Sequence, residues 1–199
     1  MSSMLVGCLL VLVAAPVLAQ REFSPAAVKK GVLLVASPLM DDRNFHHTVL
    51  LVIEHGKGGT VGLILNRPTD VLVSEVLRDL TILKGTPDRL FTGGPVEPTR
   101  LILLFRLKGI RPDTRQVFDG VYVGTPTVLE RIMAQPQPTE TFRAFSGFAG
   151  WAPDQLEGEI LEGFWGILPP EGGSIFDADP ATLWQESVAR LQVPRTISH

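Results

Sequence analysis

The chemistry open to this chain rests first on its histidines. His46 and His47 stand just before the apolar run "TVLLVIE" (48–54), and His55 stands just after it. An imidazole can serve as a general base or as a metal ligand. In an extended strand, at about 3.3 Å per residue, His47 and His55 lie roughly 26 Å apart, so local geometry cannot give them one metal. The carboxylates nearest in sequence are Asp42 and Glu54. A hydrolytic or metal-assisted site would therefore pair His55 with one of those two. Asp41 and Asp42 could also offer oxygens to a cation from the 40–47 loop, although acids in such places ordinarily build turns.

Other chemistries find little support. Ser146 lies in "AFSGF", but a nucleophile elbow needs glycine where this chain has Ala144 and Phe148. "GKGGT" sits between two strand-like runs and lacks the spacing of a phosphate loop. Gly93 and Gly94, in "TGGPVEP", could present backbone amides to an anion or simply form a tight turn. Asn66 and Arg67 end a strand-like run before Pro68, where polar groups either meet a ligand or cap a turn. The chain carries 18 basic and 21 acidic residues, a net charge of −3, and no basic cluster longer than Lys29-Lys30. No nucleic-acid partner is expected from that balance. No cofactor is expected either.

The elements that must position these groups follow from the apolar pattern. "GVLLVAS" (31–37) reads as a buried strand, and "TVLLVIE" with "TVGLILN" (60–66) as a hairpin closed at "HGKGG". These strands lack a polar face, so both sides should be covered. "VLVSEVLRDLTIL" (71–83) has helical spacing, with Leu72, Val76, Leu77 and Leu80 on one side. Residues 89–92 and 100–107 read as strands, and 114–124 as turn and strand. "TPTVLERIMA" (125–134) reads as a helix with Thr125 as N-cap and Pro126 at its first position. "TFRAFSGFAG" reads as strand into loop and "PDQLEGEILEG" as a helix burying Leu156, Ile160 and Leu161. "FWGILP" follows as a strand. A last helix runs from an Asp179 cap with Leu183, Ser187 and Leu191 aligned. In "SGFAGWAPDQLEGEI", strand-to-helix joining accounts for the small residues and for Trp151 as an anchor. It leaves Gln155 as an amide that could serve a site.

The first twenty residues differ from the rest. "MSSMLVGCLLVLVAAPVLAQ" has no charged side chain, and Val17 and Ala19 are small residues at the −3 and −1 positions of a cut after Ala19. The apolar run is short for a membrane span, which needs roughly 18 apolar residues or more. Residues 1–19 are therefore expected to be a signal peptide, 20–30 a lead segment and 31–199 one domain, with a periplasmic or otherwise extracytoplasmic destination. No membrane span is expected to remain after cleavage. The cut removes Cys8, the one cysteine, and with it disulfide and thiolate chemistry.

Three blocks, "LLVASPLMDDRNFHHTVLLVIEHGKGGTVGLILNRP", "FTGGPV" and "FSGFAGWAPDQLEGEI", resemble the AlgH/YqgE family of bacterial proteins in order and spacing. The resemblance runs from about Gly31 to the last helix. It implies a single α+β domain with a bent, partly barrel-like mixed sheet and a few peripheral helices. It brings no catalytic residue with it, and the family name points to a regulator of alginate production. Among the matching positions the residues expected at a binding site are Asp42, His55, Asn66, Arg67, Gly93, Gly94, Trp151 and Gln155. The favoured expectation is an exported, non-enzymatic binding or accessory module with a small ligand or protein partner. The alternatives are a hydrolase or metal-assisted enzyme using His55 with Asp42 or Glu54, and a cytosolic transcriptional regulator.

Overall fold

The computed structural model describes residues 28–109, 112–137, 139–169 and 175–192. The expected signal peptide, most of the lead segment, Cys8 and His199 lie outside the described residues. Ten strands form one curled, half-barrel sheet: β1 (Leu33–Ala36), β2 (Val49–Gly56), β3 (Gly59–Ile64), β4 (Pro68–Leu72), β5 (Arg89–Thr92), β6 (Val96–Arg106), β7 (Thr114–Phe118), β8 (Val121–Gly124), β9 (Thr141–Trp151) and β10 (Trp165–Leu168). Helices α1 (Val73–Val76), α2 (Pro126–Ala134), α3 (Gln155–Leu161) and α4 (Leu183–Gln192) lie outside it. None of the described helices is long and apolar enough to cross a membrane.

The sheet order is β10-β1-β2-β3-β9-β6-β8-β7, with β4 and β5 as a side branch. Every pair is antiparallel except β5 with β9, so the sheet is mixed as expected. β9 is its spine. The first half lies between β6 and β5, and the second half pairs with β3, placing Thr60 opposite Trp151. Successive residues of β1 enter different cores. Leu33 and Val35 join Leu51, Leu63 and Phe145, while Leu34 and Ala36 join Leu50, Ile64, Leu156 and Trp165. That explains the absence of a polar face. With both sides of the pleat covered, each side chain meets apolar neighbours. A third cluster seats Val128, Leu129 and Ile132 of α2 against Leu103, Phe105 and Tyr122.

The free edge of β7 curls back over the start of the sheet. Arg115 pairs with Glu54 of β2, and Lys30 Nζ donates to the Gln116 carbonyl (2.7 Å). One cation is enclosed on the way. Arg143 of β9 lies 4.4 Å from the centroid of the Phe91 ring, and its ionisation is pushed down to about 10 by burial, with Asp177 pulling the other way.

Two elements depart from the sequence pattern. The expected 71–83 helix is a strand end, one helical turn and a 3-10 turn at Thr81–Leu83. Leu72 is taken by β4, which pairs it with Arg89, and Val73 N–H bonds to Asp88 O (2.9 Å). The buried residues become Val73 and Leu83, and Val76 is exposed. "SGFAG" continues β9 rather than forming a loop, because Gly147 bends the strand at φ 69° without breaking it. In the helices, Pro126 stands at the start of α2, but Thr125 makes no side-chain cap bond. Leu161 is 69% exposed, so the apolar stripe of α3 is Leu156 and Ile160 alone.

A Cβ at Gly147 would overlap the Gly94 carbonyl oxygen, on top of the positive φ. Gly147→Ala is expected to destabilise the fold by at least about 2 kcal/mol, from strain plus backbone overlap. Urea denaturation measures this; a midpoint equal to wild type would show that β9 and the Gly93-Gly94 turn can separate freely.

Candidate functional site

Three expected site residues meet at the 41–48 turn, and the turn occupies their polar atoms. Asp42 Oδ1 accepts from Asn44 N–H (2.7 Å), and its carbonyl accepts from Phe45 and His46 N–H (2.9 and 2.7 Å). Asn66 Oδ1 accepts from Val49 N–H (3.0 Å), while its Nδ2 donates to His47 O (2.9 Å). The Arg67 guanidinium donates to the carbonyls of Asn44 (2.7 Å), His46 (3.2 Å) and Arg43 (3.3 Å). Desolvation lowers the Arg67 pKa, and Asp42 acts in the opposite direction. A planar fork of N–H groups suits this task, since it satisfies several turn carbonyls at once.

The turn aims two rings. Phe45 stacks on Trp151 at 6.1 Å between centroids and meets Trp165 edge-on at 5.6 Å; the two indoles meet edge-on at 5.9 Å. His47, at φ 55°, lies 4.0 Å from the Trp184 ring of α4, whose Nε1 donates to Ala36 O (2.9 Å).

Glu159 of α3 closes the cluster. Its Oε2 accepts from both indoles, Trp151 Nε1 at 2.9 Å and Trp165 Nε1 at 2.8 Å. Its Oε1 accepts from Gln155 Nε2 (2.9 Å), and Gln155 Oε1 accepts from Ala152 N–H (3.0 Å). Trp165 is 1% exposed and Trp151 5%, so the indole N–H groups have left water and need this acceptor. The amide of Gln155 thus tethers the Trp151 loop to the first turns of α3. In the sequence Glu159 is one of several acids around α3, and its only local signal is the i,i+4 spacing from Gln155.

Gly93 and Gly94 lie where the chain crosses β9. Gly93 N–H donates to Ser146 O (2.8 Å), and Gly93 O accepts from Ile64 N–H (2.9 Å). A Cβ on either glycine would overlap the backbone of residues 147–149. Close approach of two strands is what these glycines provide.

His55 occupies a different kind of place. β2 puts it opposite Thr60, which lies opposite Trp151. Its Nδ1 is 2.9 Å from Thr60 Oγ1, and its Nε2 is 3.9 Å from Glu157 Oε1. The tautomer protonated at Nε2 points its N–H at Glu157 and leaves Nδ1 to accept the Thr60 hydroxyl. With Lys57, Gly59, Pro153 and Asp154 they line an open cleft of about 400 Å³ between the β2–β3 turn and α3. Neither expected partner of His55 shares this cleft. Glu54 faces the other side of β2 and pairs with Arg115, and Asp42 bonds its own turn. Glu157, unmarked in the sequence, is the carboxylate at His55. Among the described residues no group of three or more His, Cys, Asp or Glu side chains is placed to hold a metal ion.

Glu159→Ala leaves two buried indole donors without an acceptor and is expected to cost roughly 2–4 kcal/mol. Glu159→Gln keeps an acceptor oxygen and should cost less. Chemical denaturation followed by tryptophan emission reads both; an Ala variant as stable as wild type would remove Glu159 from this role. A second expectation concerns pH. The His47 pKa is lowered from its ordinary 6.5, first by desolvation and then by His46. The unfolded chain then binds the proton more readily, so stability should fall as pH drops through and below that ordinary value. His47→Asn tolerates the positive φ and should flatten this dependence in melting curves across pH.

Comparison with known proteins agrees with the fold. The family model described as DUF179, AlgH-like, matches residues 33–196. A UPF0301 protein of Streptomyces coelicolor is 35% identical over 164 residues, covering 80% of this chain and 85% of that protein. One from Anaeromyxobacter sp. (strain K) is 35% identical over 179 residues, covering 84% and 90%. A crystal structure from Corynebacterium diphtheriae superposes with a TM-score of 0.70 at 25% identity, covering 85% of this chain and 92% of that one. The solution structure of the AlgH protein from Pseudomonas aeruginosa gives 0.66 at 30% identity, covering 85% and 95%. With the curled sheet and the blocks that carried the resemblance, these matches place the chain in the AlgH-like (UPF0301) family.

Proposed function

We propose that the protein is an exported, non-enzymatic binding module whose ligand meets the rim of His55, Lys57, Asp154 and Glu157. The observation that carries this reading is a division among polar side chains. Asn66, Arg67, Gln155 and Glu159 bond inward and hold the fold. His55 and Glu157 instead stand partly exposed, 3.9 Å apart, at an open cleft between the β2–β3 turn and α3. Two carboxylates, an imidazole and an ammonium suit a small ligand or peptide end carrying both signs of charge. The uncharged apolar stretch 1–19, with Val17 and Ala19 before the expected cut, supports export, and the family match begins beyond it, at residue 33.

One observation favours a second reading. Glu157, His55 and Thr60 follow one another as acid, imidazole and hydroxyl, the series used to activate a nucleophile. Thr60 is only 3% exposed and its hydroxyl is engaged by His55 Nδ1, so it offers little surface to a substrate in the cleft. The binding reading is therefore preferred.

Native protein isolated from fractionated cells tests both parts of the proposal. The expected result is a chain whose intact mass begins at Gln20, recovered outside the cytosol, with no His55-dependent turnover on ester and amide panels. Thermal-shift hits among amino acids and dipeptides should be lost in His55→Ala and Glu157→Gln while the unliganded melting temperature stays near wild type. A full-length chain in the cytosol sinks export, and hydrolysis abolished by His55→Ala replaces binding with catalysis.

A further inference from the structure

The curl of the sheet leaves an open mouth on the opposite face of β2 from His55. Inward-facing residues of four strands, Ile53, Val61, Ile102 and Val123, floor a pocket of about 120 Å³, with Phe148 of β9 as its side wall. Two guanidinium groups and one carboxylate stand at its rim: Arg100, Arg115 and Glu54. Arg100 is held over the Phe148 ring at 5.5 Å. Its partner, Glu97, lies 3.3 Å away outside the pocket lining, and both side chains are 57% exposed, so the pair is weak and exchangeable. Arg115 pairs with Glu54 across the closure of the barrel. A guanidinium offers five N–H donors, and here each arginine uses one of them on a carboxylate. The mouth thus joins an apolar floor to forked cationic donors with N–H groups to spare, the arrangement that recognises a carboxylate by two parallel hydrogen bonds.

We propose that this mouth, separate from the His55 cleft, is a binding site for a small carboxylate with a compact apolar body. The volume sets the size. A dry cavity of about 150 Å³ admits benzene, so this pocket takes a body of roughly five carbons. The carboxylate displaces Glu97 from Arg100 and shares Arg115 with Glu54, while the alkyl part covers Ile102 and Val123. Small ligands commonly enter β-barrels at such mouths. The ion pair between Glu54 and Arg115 lies across the rim, so ligand entry and barrel closure use the same arginine.

The test is an amide NMR titration of the purified protein at constant ionic strength with sodium isovalerate, sodium acetate and isoamylamine hydrochloride. Isovalerate is expected to give saturable shifts centred on Val61, Ile102, Val123 and Phe148. Acetate, lacking the apolar body, should bind at least roughly tenfold more weakly, and isoamylamine should not bind there. Arg100→Ala is expected to weaken isovalerate roughly tenfold, the size of one charge-assisted hydrogen bond, and Arg100→Lys by less. Arg100 is exposed, so both variants should keep the wild-type melting temperature. The proposal is overturned if isovalerate gives no saturable shift at the mouth, if isoamylamine binds equally well, or if Arg100→Ala binds as tightly as wild type.

Discussion

Glu159 accepts from the indole N–H groups of Trp151 and Trp165 with the same oxygen, and those two tryptophans belong to strands on either side of α3. Trp151 ends β9, which pairs with β3; Trp165 begins β10, which pairs with β1. A buried indole donor costs free energy unless it finds an acceptor, and one charged oxygen meets that need twice. The helix is thereby set at a fixed height over the sheet. Phe45 can then pack against both indoles, which determines where the 41–48 turn must sit. Asn66 and Arg67 bind that turn by its carbonyls.

This arrangement gives structural tasks to many of the residues expected at a binding site. Gly93 and Gly94 let two strands cross, Asn66 and Arg67 replace missing backbone partners, and Gln155 tethers a loop. Partly exposed at the outer rims stand His55 with Glu157 on one face of β2 and Glu54 with Arg115 on the other. Adjacent residues on one strand point to opposite faces, so a single strand serves two differently charged openings.

Local chemistry made part of this legible from the residues alone. α2 spans Pro126–Ala134, as its proline-led start implied, because Pro126 restricts the chain wherever it lies. The β2–β3 hairpin was equally plain. The 71–83 segment was not, since its helical spacing competed with pairing between Leu72 and Arg89, which only the folded chain supplies. The sequence alone shows only the first part of β9, because glycine in a strand resembles a loop until its partners are known. Within the site, Trp151 and Gln155 stood out by type. Glu159 and Glu157 did not, because a glutamate on an exposed-looking helix face gives no sign that an indole or an imidazole will arrive from a distant strand.

The pairing of β1 with β10 has a consequence for biogenesis. The two strands come from opposite ends of the domain, Leu33 facing Leu168, and β3 likewise waits for β9. A chain leaving the ribosome, or threading through a narrow channel amino end first, presents β1 to β3 long before either outer partner exists. Such sequence-distant contacts delay closure until nearly the whole domain is available. The early hairpin cannot bury both of its apolar faces alone, so the partial chain leaves apolar surface exposed until the outer strands arrive. The fold thus builds into its own topology a delay between the appearance of its first strands and the closure of its sheet.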